Sequence, residues 1–557
     1  MDITNGISRA VKEQESGNLS AAEGIYSAIL LNDPDNPAVL NNLGNLLRAK
    51  GDPNKAIECF RKALLSSPSS PELHYNLANI LHETGNAEEA IAHYRFAITL
   101  APDLMEAYNN IAGALNEAGR FDEALDYIEK VLTANPLYAG AYITKGNICA
   151  ALEQWDKALN SYRKALEITP RNHDIFYNMA NIKKITGNIS EALTLYRETL
   201  KLKPDYPDAW NNLGAALKRT GNISEAVECY RKAIDLSPYN EDAHLNYAIA
   251  LLLSGRFEEG WKEYEWRLKT RNVYRRENQR EWNGAKLNGE TVLLYADQGY
   301  GDTIQCARYI PMVKAMGAGK IILECQPELI SLMEKISCID SISPRKTELV
   351  AFDLCCALFS LPLIFDTDLE NIPASVPYLQ APERIVSKWK NRLKLHEDML
   401  NVGLVWAGSP SYQEDKSRSL DLKMFLPMLK LKEDNIAFFS LQKGLAAKEI
   451  LSVPEDLRPT DLSGEIDDFS DTAAIMEQLS LIITVDTASA HLAGALGKPV
   501  WTLVPEDPDW RWLLEREDSP WYPTMKLFRR TAEADWHKLV LSICLELKKH
   551  KKEQLQR

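Results

Sequence analysis

Cysteine is scarce in this sequence and never paired in a metal-binding spacing. The nine cysteines, Cys59, Cys149, Cys229, Cys306, Cys325, Cys338, Cys355, Cys356 and Cys544, contain no CxxC. That spacing excludes a thiolate zinc knuckle and predicts reduced thiols in a cytoplasmic protein. The nine histidines contain no HExxH either, so no structural zinc site is expected. Positive charge is also short: 64 Lys and Arg face 78 Asp and Glu, a net charge of -14, which argues against a nucleic-acid partner. No apolar run approaches the roughly 20 residues that span a bilayer. The first residues, MDITNGISRAVKEQESG, lack the basic start and apolar core of a secretory signal. What remains is a globular composition, 45% hydrophobic and 25% charged, in a chain of 557 residues that is too long for one core.

The first half repeats itself every 34 residues. Gly44 recurs as Ala78, Ala112, Gly146, Ala180, Gly214 and Ala248. Gly51 recurs as Gly85, Gly119, Gly187, Gly221 and Gly255, with Glu153 in the one exceptional place. Ala56 recurs to Ala226, Phe60 returns as Tyr94, Ile128, Tyr162, Tyr196, Tyr230 and Tyr264, and a proline closes each unit from Pro34 to Pro238. Small residues let two helices approach, glycine turns the chain, a large ring fills the gap and proline ends the second helix. One such unit cannot bury its apolar face, so stability comes from stacking. This is the tetratricopeptide pattern, in about eight units over residues 3–274.

An asparagine follows the same period: Asn42, Asn76, Asn110, then Thr144, then Asn178, Asn212 and Asn246. A second series, Asn45, Asn79, Asn147 and Asn181, lies three residues on and shares the helix face. Asparagine is a poor helix former. The ladder therefore reads either as a set of amides for the backbone of a bound polypeptide or as bonds to the neighbouring helix.

Beyond a charged stretch at 275–289, read as a linker, short apolar strands alternate with helices. Strands are expected at Val292–Ala296, Lys320–Glu324, within 350–361, and at Val402–Trp406, Ala437–Leu441, Leu481–Val485 and Val500–Val504. Helices are expected near 303–315, 327–336, 382–395, 420–431, 471–479 and 487–496. Two such sets predict two doubly wound lobes, 290–397 and 398–532, followed by a helix and charged tail at 533–557. Ligands of such sheets bind beyond the carboxyl ends of the strands.

Three stretches sit at those ends. Asp297-Gln298-Gly299-Tyr300-Gly301-Asp302-Thr303 turns from the first strand into a helix. It lacks the third glycine of a dinucleotide fingerprint, which Ile304 replaces, so that reading is rejected. Val402-Gly-Leu-Val-Trp-Ala-Gly408-Ser409 is followed by the cations Lys416 and Arg418. Leu481-Ile-Ile-Thr-Val-Asp486-Thr487-Ala488-Ser489-Ala490-His491 runs from strand to helix, with Asp486 placed as a cap and free N–H groups beyond it for an anion. Each also has a plainer reading, as a helix cap or a solvated basic loop.

Taken together, GYGDTIQ, VGLVWAGS and VDTASAHLAGALGKPVWTLVP resemble the bacterial heptosyltransferase-like glycosyltransferases of the GT-B fold. Repeats followed by such a domain are similar in arrangement to O-linked N-acetylglucosamine transferases. The resemblance implies an all-α tetratricopeptide solenoid followed by an α/β GT-B domain of two Rossmann-like lobes. It implies a metal-independent, inverting transfer from a nucleotide-diphosphate sugar, as substrate, to a polypeptide acceptor held by the repeats, with no metal or other cofactor. Asp302 matches the family's catalytic aspartate, and Gln298, Gly299, Tyr300 and Gly301 its acceptor-side loop. Gly408, Ser409, Lys416, Arg418, Gln442, Asp486, Thr487, Ala488, Ser489 and His491 fall on the donor side, with His491 among the groups that stabilise the diphosphate. The chain departs from the family in Asp-Thr-Ala-Ser where Asp-Ser-Gly is usual, and in a Trp510-Arg511-Trp512 element, so heptose is not implied. The alternatives are a non-catalytic repeat scaffold with a decayed transferase domain, and a glycan or lipopolysaccharide transferase.

Overall fold

The computed structural model describes residues 3–270, 273–276, 279–347, 351–393, 395, 398–410, 415–531 and 535–555. The chain divides into two compact units, Met1–Ala209 and Trp210–Arg557.

In the first unit helices pair in sequence, Pro37–Ala49 with Pro53–Ser66 and Pro71–Glu83 with Ala87–Leu100, continuing to Ile189–Leu202. Local chemistry starts them: Asn36, Asp52 and Ser70 each accept a backbone N–H of the first turn, with proline in the next position. The turn glycines have φ near +80°, and Glu153 adopts the same left-handed turn at φ 56°. The small-residue series works as expected. A Cβ on Gly146 would stand 2.4 Å from the Tyr162 ring, and one on Gly44 2.7 Å from Phe60.

The asparagines are engaged within the solenoid. Asn76 donates to the Asn41 carbonyl at 2.9 Å, Asn110 to Asn79 at 3.0 Å, and Asn178 to Asn147 at 3.3 Å. In the second unit Asn246 donates to Asn211 at 3.0 Å. The second series accepts from buried tyrosines: Tyr94 on Asn79, Tyr162 on Asn147 and Tyr196 on Asn181, at 2.6–2.7 Å. Where that series carries Val11 or Ala215, the matching Tyr26 and Tyr230 hydroxyls have no partner. Asn42 lines a hollow of about 400 Å³ with Val11, Gln14, Glu15, Tyr26 and Asn45.

The second unit holds the last repeat helices, Ile223–Leu236, Glu241–Leu253 and Phe257–Tyr264, and two parallel sheets. Strands β1 (Thr291–Tyr295), β2 (Lys320–Cys325), β3 (Ser341–Pro344) and β4 (Leu354–Ala357) pair in the order β3-β2-β1-β4. Strands β5 (Leu400–Val405), β6 (Ile436–Ser440), β7 (Thr460–Asp461), β8 (Leu481–Val485), β9 (Val500–Val504) and β10 (Met525–Arg529) pair in the order β10-β9-β8-β5-β6-β7. All the pairings are parallel, as two doubly wound lobes require.

Three expectations need correction. The helices expected near 303–315, 327–336 and 420–431 are broken into short α and 3-10 pieces, the pieces near 310 and 426 each opening on an early proline. Strands β3, β7 and β10 were not expected, and Val350 of the 350–361 segment lies outside the described residues. The stretch read as a linker belongs to the first lobe. Trp282 N–H donates to Cys355 O at 2.8 Å, Cys355 N–H donates to Arg280 O at 2.9 Å, and Leu287 N–H donates to Met316 O at 2.9 Å.

The end of the repeats is also built into this unit. The Trp261 indole donates to Thr367 O at 2.8 Å, and its ring meets Trp510 edge-on at 5.2 Å. Arg267, 1% exposed, donates to Asp297 at 2.8 Å and to Ser360 at 3.0 Å, and pairs with Glu265. Asp297 lies two residues past the end of β1, so the chain that follows the last repeat helix holds the base of the glycine turn.

Candidate active site

The glycine turn after β1 and the helix after β8 meet. Helix Tyr300–Cys306 of the first lobe packs against helix Ala488–Ala495 of the second. The approach is tight at Gly301, where a Cβ would stand 2.7 Å from His491 Cδ2 and 3.5 Å from Ala488 Cα. Only glycine fits there without displacing the histidine. Tyr300 completes the seam against Phe469, ring centroids 5.1 Å apart.

Asp302 is the third residue of its helix, and its Oδ2 accepts the Gly299 N–H at 2.9 Å. This reaching back satisfies one orphan donor of the helix start. Its Oδ1 pairs with Arg511 from the opposite lobe. Burial pushes the Asp302 carboxyl up from its ordinary value, the Arg511 cation pulls it down, and Asp509 and Asp297 push with burial. The carbonyl of Gln298 is taken by Gln326 at 2.9 Å and by Arg345.

On the donor side Asp486 does not cap its helix, contrary to the sequence reading. The cap position is Thr487, in extended backbone, with no side-chain cap. The first N–H groups of that helix, from Ala488 and Ser489, therefore have no side-chain acceptor in the cap. Asp486 is buried, which pushes its carboxyl up to about 6, with Asp509 adding to the shift and Trp512, Arg418 and Arg511 opposing it.

His491, read as one of the groups that stabilise the diphosphate, is packed inside the second lobe. It is 5% exposed, Nδ1 lies 2.9 Å from the Tyr522 hydroxyl, and the ring stacks on Trp512 at 5.4 Å. Burial first, then Arg511, Arg308 and Arg418, holds it well below the ordinary histidine range, so it is neutral. A neutral imidazole contributes a hydrogen bond rather than charge.

Gln442 also changes role. Its Oε1 accepts from the Trp406 and Ala407 N–H groups at 3.0 and 2.9 Å, and its Nε2 donates to Ala407 O and Lys443 O, both at 3.0 Å. Both donors and both acceptor directions are used, so Gln442 holds the turn after β5 instead of a ligand. Of the two cations after that turn, Lys416 is exposed, whereas Arg418 is 20% exposed at the side chain and bonds Asp415 at 3.3 Å. A Cβ on Gly408 would stand 2.9 Å from the Arg418 guanidinium, and Gly408 N–H donates to Ser419 at 2.8 Å. Arg418 also lies close enough to Asp486 and His491 for its charge to act on both. Ser409 follows Gly408 and is exposed.

Arg511 had no role in the sequence reading beyond belonging to an unusual Trp-Arg-Trp. Its partners Asp302 and Gln305 lie 209 and 206 residues away. Among the described residues no three His, Cys, Asp or Glu side chains gather as a metal would require. No described helix is long and apolar enough to cross a membrane.

Known families match both halves of the sequence. Tetratricopeptide repeat profiles match residues 9–57, 41–104, 104–134 and 207–240, and a TPR repeat profile matches 146–184 and 180–221. The profile of glycosyltransferase family 9 (heptosyltransferase) matches residues 428–515. The chain carries tetratricopeptide repeats and a glycosyltransferase family 9 domain. The family 9 match contains Gln442, Asp486, Thr487, Ala488, Ser489, His491, Asp509 and Arg511, and begins after Asp302, Gly408 and Arg418. Protein FlbA of Caulobacter vibrioides is 26% identical over 272 residues, 44% of each chain. The chain therefore matches under half the length of this curated relative. Among solved structures, a tetratricopeptide repeat protein of Parabacteroides merdae is 18% identical, with TM-score 0.41 over 44% of this chain and 98% of its own. A thermophilic TPR protein of Thermus thermophilus is 22% identical, with TM-score 0.31 over 33% of this chain and 100% of its own.

Proposed function

We propose that the family 9 domain transfers a sugar from a nucleotide diphosphate to an acceptor hydroxyl with inversion and without a metal. The supporting observation is the packing of helix Tyr300–Cys306, which carries Asp302, against helix Ala488–Ala495, whose N-terminus has no side-chain cap. In this reading the acceptor O–H gives its proton to Asp302 as its oxygen bonds the anomeric carbon. The bond from that carbon to the diphosphate breaks on the opposite face, and the diphosphate leaves with the electron pair. A carboxylate of ordinary basicity is a weak base, so the two events are concerted. Burial around Asp302 raises its proton affinity, in the direction this role needs. The leaving diphosphate is received by the free N–H groups of the helix start and by Arg418, with a hydrogen bond from neutral His491. The repeats hold a polypeptide acceptor. Asn76 and Asn246 of the ladder each donate one amide N–H to the preceding repeat, to Asn41 and Asn211, and an amide nitrogen has a second to offer.

Thermal unfolding with UDP, ADP, GDP and their sugars, in metal-free buffer, tests the donor side. A ligand at 100 times its Kd adds about 2.7 kcal/mol of stability. Asp302→Asn keeps that shift and loses about 10²–10⁴-fold in sugar turnover. No shift with any nucleotide, or full turnover without Asp302, would overturn the proposal.

A further inference from the structure

We infer that Arg511, resting on the transferase reading above, is a positioning residue for the transfer: from the second lobe it fixes the direction in which Asp302 presents its free lone pairs. Each nitrogen of the guanidinium donates. Its Nε donates to Gln305, one amino group to Asp509 at 2.8 Å and the other to Asp302. Its faces are covered by Trp510 and Phe359, with ring centroids 4.4 and 5.2 Å away. The group is 6% exposed, and its own backbone N–H is tied to Asp509 at 3.0 Å. Gln305 and Asp302 stand one turn apart on the same helix, so the planar fork reads that helix at two points. Each carboxylate oxygen of Asp302 then carries one bond, from Gly299 on one side and Arg511 on the other. Rotation of the carboxylate is frozen, and one lone pair on each oxygen keeps a fixed direction. Lysine has the charge but not the fork.

The charge acts on the same atom. The groups that face Asp302 are Arg511, Asp509 and Asp297, with the Tyr264 hydroxyl and the Cys306 thiol beside them and His491 against Gly301. Arg511 is the one cation among these neighbours. Without it the two carboxylates and burial all act to hold the proton on Asp302.

Carbon-13 carboxyl titration of the full, aspartate-labelled chain tests this directly. The Asp302 signal is assigned by its loss in Asp302→Asn. In Arg511→Gln it is expected to titrate higher than in the wild type by about one pH unit or more, a tenfold change in proton affinity. In Arg511→Lys it stays near the wild-type midpoint, while turnover of the donor found in the nucleotide screen falls about tenfold or more at unchanged nucleotide Kd. Gln305→Met, which keeps the charge and removes the Nε anchor, is expected to slow turnover with no change in titration, and it serves if Arg511→Gln does not fold. An Asp302 titration unmoved in folded Arg511→Gln would overturn the inference, as would full turnover in both Arg511→Lys and Gln305→Met. The titration needs no donor, so an empty nucleotide screen counts against the transferase reading alone.

Discussion

Asp486 is held where ionisation is costly, its carboxyl raised to about 6 by burial and by Asp509. The native chain therefore binds this proton more tightly than the unfolded chain, and stability falls as pH rises from about 4 through about 6. Asp486→Asn is expected to stabilise the second unit by about 1–3 kcal/mol at pH 7.5, with the gap closing toward pH 4. Paired thermal melts across that range check it, and a constant gap would remove the carboxylate as its cause. A site that keeps such a residue ionised at a cost has a use for it. Much of this site was legible in the sequence because strand-to-helix motifs are local: Asp302, Asp486 and His491 sit beside the turns that carry them. Charge state was not legible. The sequence does not show that His491 is buried against Trp512 and Tyr522, nor that Arg511, Arg308 and Arg418 lie close enough to disfavour its protonation. Arg511 was not legible for another reason, because its meaning lies in residues about 200 positions away.

Pairs of residues 15 positions apart explain the second asparagine series. Tyr94, Tyr162 and Tyr196 each donate to an asparagine on the preceding helix, and Tyr230 faces Ala215 with its hydroxyl unpaired. Ala215→Asn restores the pattern. The new bond and the relieved hydroxyl outweigh asparagine's poorer helix propensity, for a net gain of about 1 kcal/mol. Chemical denaturation of the wild type and the variant measures it, and a loss of stability would show that the site cannot seat the amide. Periodicity made the helices readable, since each position repeats its chemistry. Central strands were readable too: β8 and β9 fall on the expected residues. The edge strands β3 and β10 were hidden, because an edge strand pairs on one side only and mixes apolar with polar residues. Ser341, Ser343 and Pro344 dilute one, and Lys526 and Arg529 the other.

The second unit starts before the repeats end, so sequence periodicity and compactness divide the chain at different places. A chain begun at residue 275 lacks Trp261 and Arg267 and leaves Asp297 buried without its cation, a loss of about 3–5 kcal/mol. Such a chain is expected to melt lower than one begun at Pro207, or not to fold; equal melting temperatures would show that the last repeats are dispensable. The contact of Gly301 with His491 has a bearing on descent. A side chain gained at 301 displaces the ring that Trp512 and Tyr522 hold, so drift at one lobe's turn is penalised by the other lobe's helix. Among diverged relatives, positions 301, 491, 512 and 522 are then expected to be inherited as a block, changing together or not at all.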